Sequence, residues 1–113
     1  VLDVCAGTGA VGIEAISRGA AWVTFVEHDR RAIALIEANL RKFGVIDGYT
    51  IERRDALTRS AAGHDTAFDL VFLDPPYAQR TLEPWLAVAA AAVRPRGTVV
   101  LEHASRVAAP EVG

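Results

Sequence analysis

The chain has 113 residues, 51% of them hydrophobic and 23% charged, a balance that fits one folded domain with a packed core and excludes a disordered chain. Twelve Lys and Arg against 14 Asp and Glu leave a net charge of −2, so no basic excess points to a nucleic-acid partner. No apolar run is long enough to span a bilayer, and the single cysteine, Cys5, which has no internal partner for a disulfide, fits a reducing, cytoplasmic setting.

Strand and helix patterns alternate along the chain. Val1 to Val4 is a short apolar strand that stops at a glycine-rich turn. Ala10 to Arg18 is a run of helix formers ended by Gly19. Trp22 to Val26 is β-branched and aromatic and reads as a strand. Arg30 to Phe43 puts Ile33, Ile36, Leu40 and Phe43 on one helical face, and Gly44 ends it. Tyr49 to Glu52 is a short strand, Ala56 to Ala62 a weak helix, and Gly63 to Thr66 a polar loop. Phe68 to Leu73 is continuously apolar apart from Asp69, as in a strand buried on both faces, and Pro75 and Pro76 stop it. Leu82 to Val93 is a helix with Leu82, Trp85, Leu86, Ala89 and Val93 facing inward. Pro95 and Gly97 then make a turn into a fifth strand, Thr98 to Leu101.

This order predicts an α/β fold, a doubly wound, mostly parallel Rossmann-like sheet with helices on both faces, forming one domain over residues 1–113. No methionine occurs and the chain opens inside an apolar run, so it reads as part of a longer protein, truncated at both ends. Ligands of such sheets bind beyond the carboxyl ends of the strands, where the strand order reverses. Four places meet that condition: Cys5 to Gly9, Glu27 to Asp29, Asp55, and Asp74 to Tyr77.

Gly7-Thr8-Gly9-Ala10-Val11-Gly12 is a G-x-G-x-x-G between a strand and a helix, and Glu27 follows Gly7 by 20 residues. A carboxylate there accepts both hydrogen bonds of a ribose diol. Read alone, the pattern predicts a dinucleotide. Asp3 argues against it, because a pyrophosphate on the helix N-terminus would meet that negative charge. S-adenosylmethionine carries no phosphate, and its sulfonium and ammonium both favour a nearby carboxylate. Asp3 can equally cap the loop through backbone N–H groups. The expected cofactor contacts are Asp3, Ala6, Gly7, Thr8, Gly9, Glu27 and His28. Cys5, beside this loop, suits a small packing residue better than a nucleophile.

Asp74-Pro75-Pro76-Tyr77 ends the fourth strand, which in a doubly wound sheet lies beside the first. The Asp74 carboxylate accepts a hydrogen bond from an amino group. Pro75 has a carbonyl but no N–H, and two prolines stiffen the turn that aims it. Two acceptors on one amino group draw its lone pair out of conjugation, and Tyr77 offers a flat face for a base. Asp74, Pro75, Pro76 and Tyr77 are therefore the expected catalytic residues.

Asp3-Val4-Cys5-Ala6-Gly7-Thr8-Gly9, Glu27 and Asp74-Pro75-Pro76-Tyr77 resemble the motifs of amino-methyltransferases with a Rossmann-like fold. The stretch Gly9-Ala10-Val11-Gly12-Ile13-Glu14-Ala15-Ile16-Ser17-Arg18-Gly19-Ala20 is similar to the bacterial 16S ribosomal RNA guanine-N2 methyltransferases. That resemblance implies transfer of a methyl group from S-adenosylmethionine to guanine N2. It implies ribosomal RNA or the assembling small subunit as partner, no membrane and no metal. It also implies a place for Asp55 and Ala56 beside the cofactor adenine, and an N-terminal segment and a final β-hairpin that are absent here. Rivals are adenine-N6 methylation of DNA or RNA, methylation of a protein glutamine amide, an NAD-dependent oxidoreductase and a silent RNA-binding domain. His28, His64 and His103 lack metal-ligand spacing and read as solvated. Arg30, Arg31, Arg53 and Arg54 read as solvated faces within reach of RNA phosphate, and Asp47 and Asp65 as loop residues.

Overall fold

The computed structural model describes residues 1–58, 68–75 and 83–102. Its elements, in chain order, are β1 (Leu2–Val4), α1 (Ala10–Ser17), β2 (Val23–Glu27), α2 (Arg30–Lys42), β3 (Tyr49–Arg53), a 3-10 turn (Ala56–Thr58), β4 (Phe68–Leu73), α3 (Glu83–Ala92) and β5 (Val93–Leu101). The five strands form one sheet in the order β3-β2-β1-β4-β5, and every pairing is parallel. The order runs outward in one direction from β1 to β3 and in the other from β4 to β5. The expected α/β Rossmann-like sheet is therefore observed, with its reversal point between β1 and β4.

The central strand fixes the rest. Leu2, Asp3 and Val4 stand opposite Thr24, Phe25 and Val26 on one side, and opposite Val71, Phe72 and Leu73 on the other. One sheet face packs Val23 and Phe25 against Ile13 of α1 and Ile36 and Leu40 of α2. The other packs Leu2, Val4, Val26, Val71 and Leu73 against Trp85, Ala89 and Ala92 of α3. Alternation along the strands thus supplies both helix layers. Helix α1 comes so close to the sheet that a Cβ on Gly12 would run into the Phe25 ring and stand 2.9 Å from Val23 Cγ1. Only glycine fits there.

Both glycine stops work as expected. The Ala20 and Gly19 amides bond the Ala15 and Ile16 carbonyls, and the Val45 and Gly44 amides bond those of Leu40 and Arg41. These are the paired bonds of a Schellman ending. The second of them corrects the sequence reading. Ile33, Ile36 and Leu40 are buried, but Phe43 is 64% exposed. The helix ends at Lys42, the chain turns at Gly44, and Val45 takes the place against the core that helical spacing assigned to Phe43.

Other boundaries shift for local reasons. Trp22 lies outside β2, half exposed, its Nε1 donating to Thr50 Oγ1 at 3.2 Å. Strand β4 is not buried along its whole length, since Asp69 faces solvent and pairs with Arg94 Nε at 2.6 Å. Helix α3 turns Trp85, Val88, Ala89 and Ala92 inward, while Leu86 is half-buried and Val93 already belongs to β5. Leu82 lies outside the described residues. The turn expected at Pro95 and Gly97 falls inside β5. Val93 pairs with Phe68 and Thr98 with Leu70, so Arg94 to Gly97 bulge opposite Asp69 alone. Of the weak helix over 56–62, the Ala56–Thr58 turn is described. Among the described residues no helix is long and apolar enough to cross a membrane.

Candidate cofactor and catalytic site

The carboxyl ends of β1, β2 and β4 meet at the reversal point. After Val4 the chain turns sharply at Cys5 (φ 59°), and the Ala6 amide bonds the Val26 carbonyl at 3.2 Å. The loop closes with Gly9 N–H on Ala6 O at 2.8 Å, and Asn39 Nδ2 of α2 donates to the Thr8 carbonyl at 2.9 Å. Gly7 has φ 58°, and no atom lies within 4 Å of where its Cβ would stand. The loop is open on that side, and a ligand can approach its backbone closely.

Glu27 ties the glycine loop to the start of α2. Its Oε1 accepts the Gly7 N–H at 2.9 Å, and its Oε2 accepts those of His28 and Asp29 at 3.1 Å each. Asp29 caps α2 by accepting the Arg31 N–H at 2.8 Å. Asp3 lies beneath the loop, 1% exposed, and Oδ2 accepts the Gly12 N–H at 3.2 Å. Of its two expected roles, the structure shows the capping one directly. Burial pushes its carboxyl up to about 7; the Gly12 bond opposes this, and Asp74 and Glu27 add to it.

Asp55 turns its Oδ1 to the Leu57 N–H at 3.0 Å, holding the 3-10 turn, and Ala56 is buried against the α3 side of the core. His28 is exposed, its Nδ1 4.0 Å from Glu27 Oε2. Asp74 follows β4 directly beside β1, and its amide reaches the Val4 carbonyl at 3.5 Å. Its carboxyl is raised above the ordinary carboxylate value, by burial first and by Glu102 second. Pro75 is buried. Pro76 and Tyr77, expected in the same turn, lie outside the described residues, as do His64, Asp65 and His103.

Cys5 stands among these acids. Burial, then Glu27, Asp74, Asp55 and Asp3, push its thiol up to about 12. Both causes disfavour the thiolate, the nucleophilic form, and the side chain packs against the core. Among the described residues no group of three or more His, Cys, Asp or Glu could hold a metal ion. The arginines read as solvated faces divide: Arg53 pairs with Glu37 at 3.2 Å and Arg54 with Glu52 at 3.0 Å, while Arg30 and Arg31 are exposed at the start of α2.

Two residues of the site escaped the sequence reading. Asn39 sits mid-helix, where an amide carries no signal of its own. Glu102 follows β5 as Asp74 follows β4, and its amide bonds the Leu73 carbonyl at 2.9 Å. Searching the end of the fifth strand as well as the first four would have found it.

The whole chain, residues 1–113, matches the family described as Conserved hypothetical protein 95. The chain belongs to this family. It is 36% identical to a Bacillus subtilis (strain 168) protein, YlbH, named as a candidate rRNA methyltransferase, over 97% of this chain and 62% of that protein. It is 35% identical to ribosomal RNA small subunit methyltransferase D of Buchnera aphidicola (subsp. Acyrthosiphon pisum), over 69% of this chain and 40% of that one. A solved structure from Streptococcus pyogenes, described as a conserved hypothetical protein, superimposes with a TM-score of 0.84 at 36% identity, covering 99% of this chain and 71% of that chain. The resemblance carried by Gly9 to Ala20 and the Asp74 turn thus names the right family. The chain spans 40–62% of the length of these two curated relatives.

Proposed function

We propose that this domain binds S-adenosylmethionine and directs its methyl group to the exocyclic amino group of a nucleic-acid base, guanine N2 in small-subunit ribosomal RNA. The observation that carries the reading is how the glycine loop is satisfied. In a dinucleotide site the loop N–H groups are left for a pyrophosphate. Here the Gly7 N–H is taken by Glu27 and the Gly12 N–H by Asp3. Asp55 and Asp74 add further negative charge around Cys5. That surrounding repels an anion and suits a cationic cofactor. The open space over Gly7 admits it, and the names of the rRNA methyltransferase relatives agree with the choice.

S-adenosylmethionine, when bound, supplies an activated methyl group. The chain's own residues do the rest. Beyond the three N–H bonds it already makes, Glu27 keeps one acceptor site, on Oε1, for a ribose hydroxyl. Ala6, Thr8 and Gly9 shape the loop, Asp55 and Ala56 border the place of the adenine, and His28 stands beside Glu27 at the cofactor site. Asp74 and the Pro75 carbonyl hold the amino nitrogen of a base splayed from its stack, and the sequence motif assigns Pro76 to stiffening and Tyr77 to stacking on that base. The raised proton affinity of Asp74 suits it to take up the proton the amino group sheds on methylation.

Calorimetry with S-adenosylhomocysteine and NAD tests the cofactor. The first should bind, and tighter binding of NAD would sink the reading. Glu27→Ala should weaken S-adenosylhomocysteine binding by about 1–3 kcal/mol, the usual cost of losing charged hydrogen bonds. An unchanged affinity would remove Glu27 from the site. Methyl transfer by the full-length protein to small ribosomal subunits, naked RNA and DNA, with the modified base mapped, tests the substrate.

A further inference from the structure

Beyond the residues that hold cofactor and amino group, we propose that Glu102 selects the base: its carboxylate accepts the N1–H of a guanine whose 2-amino group is held by Asp74 and the Pro75 carbonyl. This rests on the methyltransferase reading above and adds to it the choice among bases.

Strands β4 and β5 run parallel with Leu73 opposite Leu101, and the Glu102 amide bonds the Leu73 carbonyl at 2.9 Å. Asp74 and Glu102 are therefore neighbours on adjacent strand ends, both on the carboxyl side of the sheet. Glu102 is exposed and Asp74 half-buried. The two carboxylates act on each other, since Glu102 contributes to the raised proton affinity of Asp74. Two acceptor-only groups side by side are unfavourable unless donors come between them.

Base chemistry supplies such donors in one case. Guanine presents N1–H and the 2-amino group next to each other on its Watson–Crick edge. Adenine and cytosine present a ring nitrogen lone pair beside their amino group, which would face the Glu102 carboxylate and be repelled. Uracil has no amino group. A pair of carboxylates in register is thus complementary to guanine and opposed to the other amino-bearing bases. A site that hydrogen-bonds a substrate N–H discriminates against analogues that lack it.

The test uses the full-length protein and two forms of a small-subunit rRNA fragment. One carries guanine at the methylated position and the other 2-aminopurine, which keeps the 2-amino group but has a bare N1 lone pair. The unsubstituted protein should favour guanine by about a hundredfold in kcat/KM. Glu102→Gln, whose amide can donate to a bare N1, should lower that ratio at least about tenfold, with S-adenosylhomocysteine affinity unchanged. Glu102→Ala should lower it as well, because the repelling carboxylate is gone. A general loss of activity cancels in the ratio. A ratio unchanged in both variants, while the unsubstituted protein methylates guanine N2, would overturn the role of Glu102 and leave the methyltransferase reading standing. Failure of the unsubstituted protein to methylate the guanine RNA would overturn that reading, and the selection by Glu102 with it.

Discussion

Asp74→Ala should slow methyl transfer by about 10²–10³-fold, the usual effect of removing one preorganised hydrogen-bonding group at a reaction centre. S-adenosylhomocysteine affinity should stay within a few-fold. The backbone explains the separation. Leu73 is paired with Val4 on one side and Leu101 on the other, the Asp74 amide reaches the Val4 carbonyl, and Pro75 is buried immediately after it. The turn is therefore held by the sheet and not by the Asp74 carboxylate. Removing that carboxylate also relieves its repulsion with Glu102, so no loss of stability accompanies the loss of rate. Asp74→Asn should be milder, because an amide oxygen still accepts a hydrogen bond. Single-turnover methylation at saturating cofactor, with S-adenosylhomocysteine affinity measured on each variant, makes the comparison. Near-normal turnover in Asp74→Ala would remove the main support for an amino-group acceptor.

The parts of this architecture legible in the sequence are those governed by short-range rules. Alternating strand and helix patterns fix a parallel sheet, glycines fix helix ends at Gly19 and Gly44, and a strand followed by Asp74-Pro75 places the turn beside β1. What the sequence did not reveal depends on how elements meet. Phe43 continues the helical period of Ile33, Ile36 and Leu40, but the chain leaves the helix before that residue can reach the sheet. The β5 bulge required knowing that Val93 and Thr98 pair with residues only two apart in β4. Asn39 holds the glycine loop from 31 residues away, and Glu102 matters because of what lies on the next strand. Asp3 is the sharpest case. Its presence before the loop argued for a cationic ligand, yet its burial and its bond to Gly12 appear only once α1 is folded over β1.

That burial makes Asp3 costly to the free protein, and Asp3→Asn should show it as a pH-dependent gain in stability. In the unfolded chain the Asp3 carboxyl has its ordinary value of 3.8; in the folded protein it rises to about 7. The folded state therefore binds this proton more tightly than the unfolded state. Below pH 4 both hold it and no penalty arises. As pH climbs from 4 to 7 the unfolded chain releases the proton first, and stability falls; above 7 both have released it and the loss is complete. The size of the rise corresponds to about 4 kcal/mol. The asparagine oxygen can still accept the Gly12 N–H but carries no charge to bury. The stability difference between Asp3→Asn and the unsubstituted protein should therefore shift in favour of the variant by about 4 kcal/mol between pH 4 and pH 8. Urea unfolding at a series of pH values without ligand measures it, and a difference independent of pH would show that Asp3 is not strained in this way. Cofactor binding should move the other way. A cation beside the loop favours ionised Asp3, so S-adenosylmethionine affinity for the unsubstituted protein should rise with pH up to about 7 and then level. In Asp3→Asn that rise should be lost and the affinity at pH 8 lowered. The variant would be the more stable protein and the weaker binder, as expected where a charge is kept buried for its ligand and not for the fold.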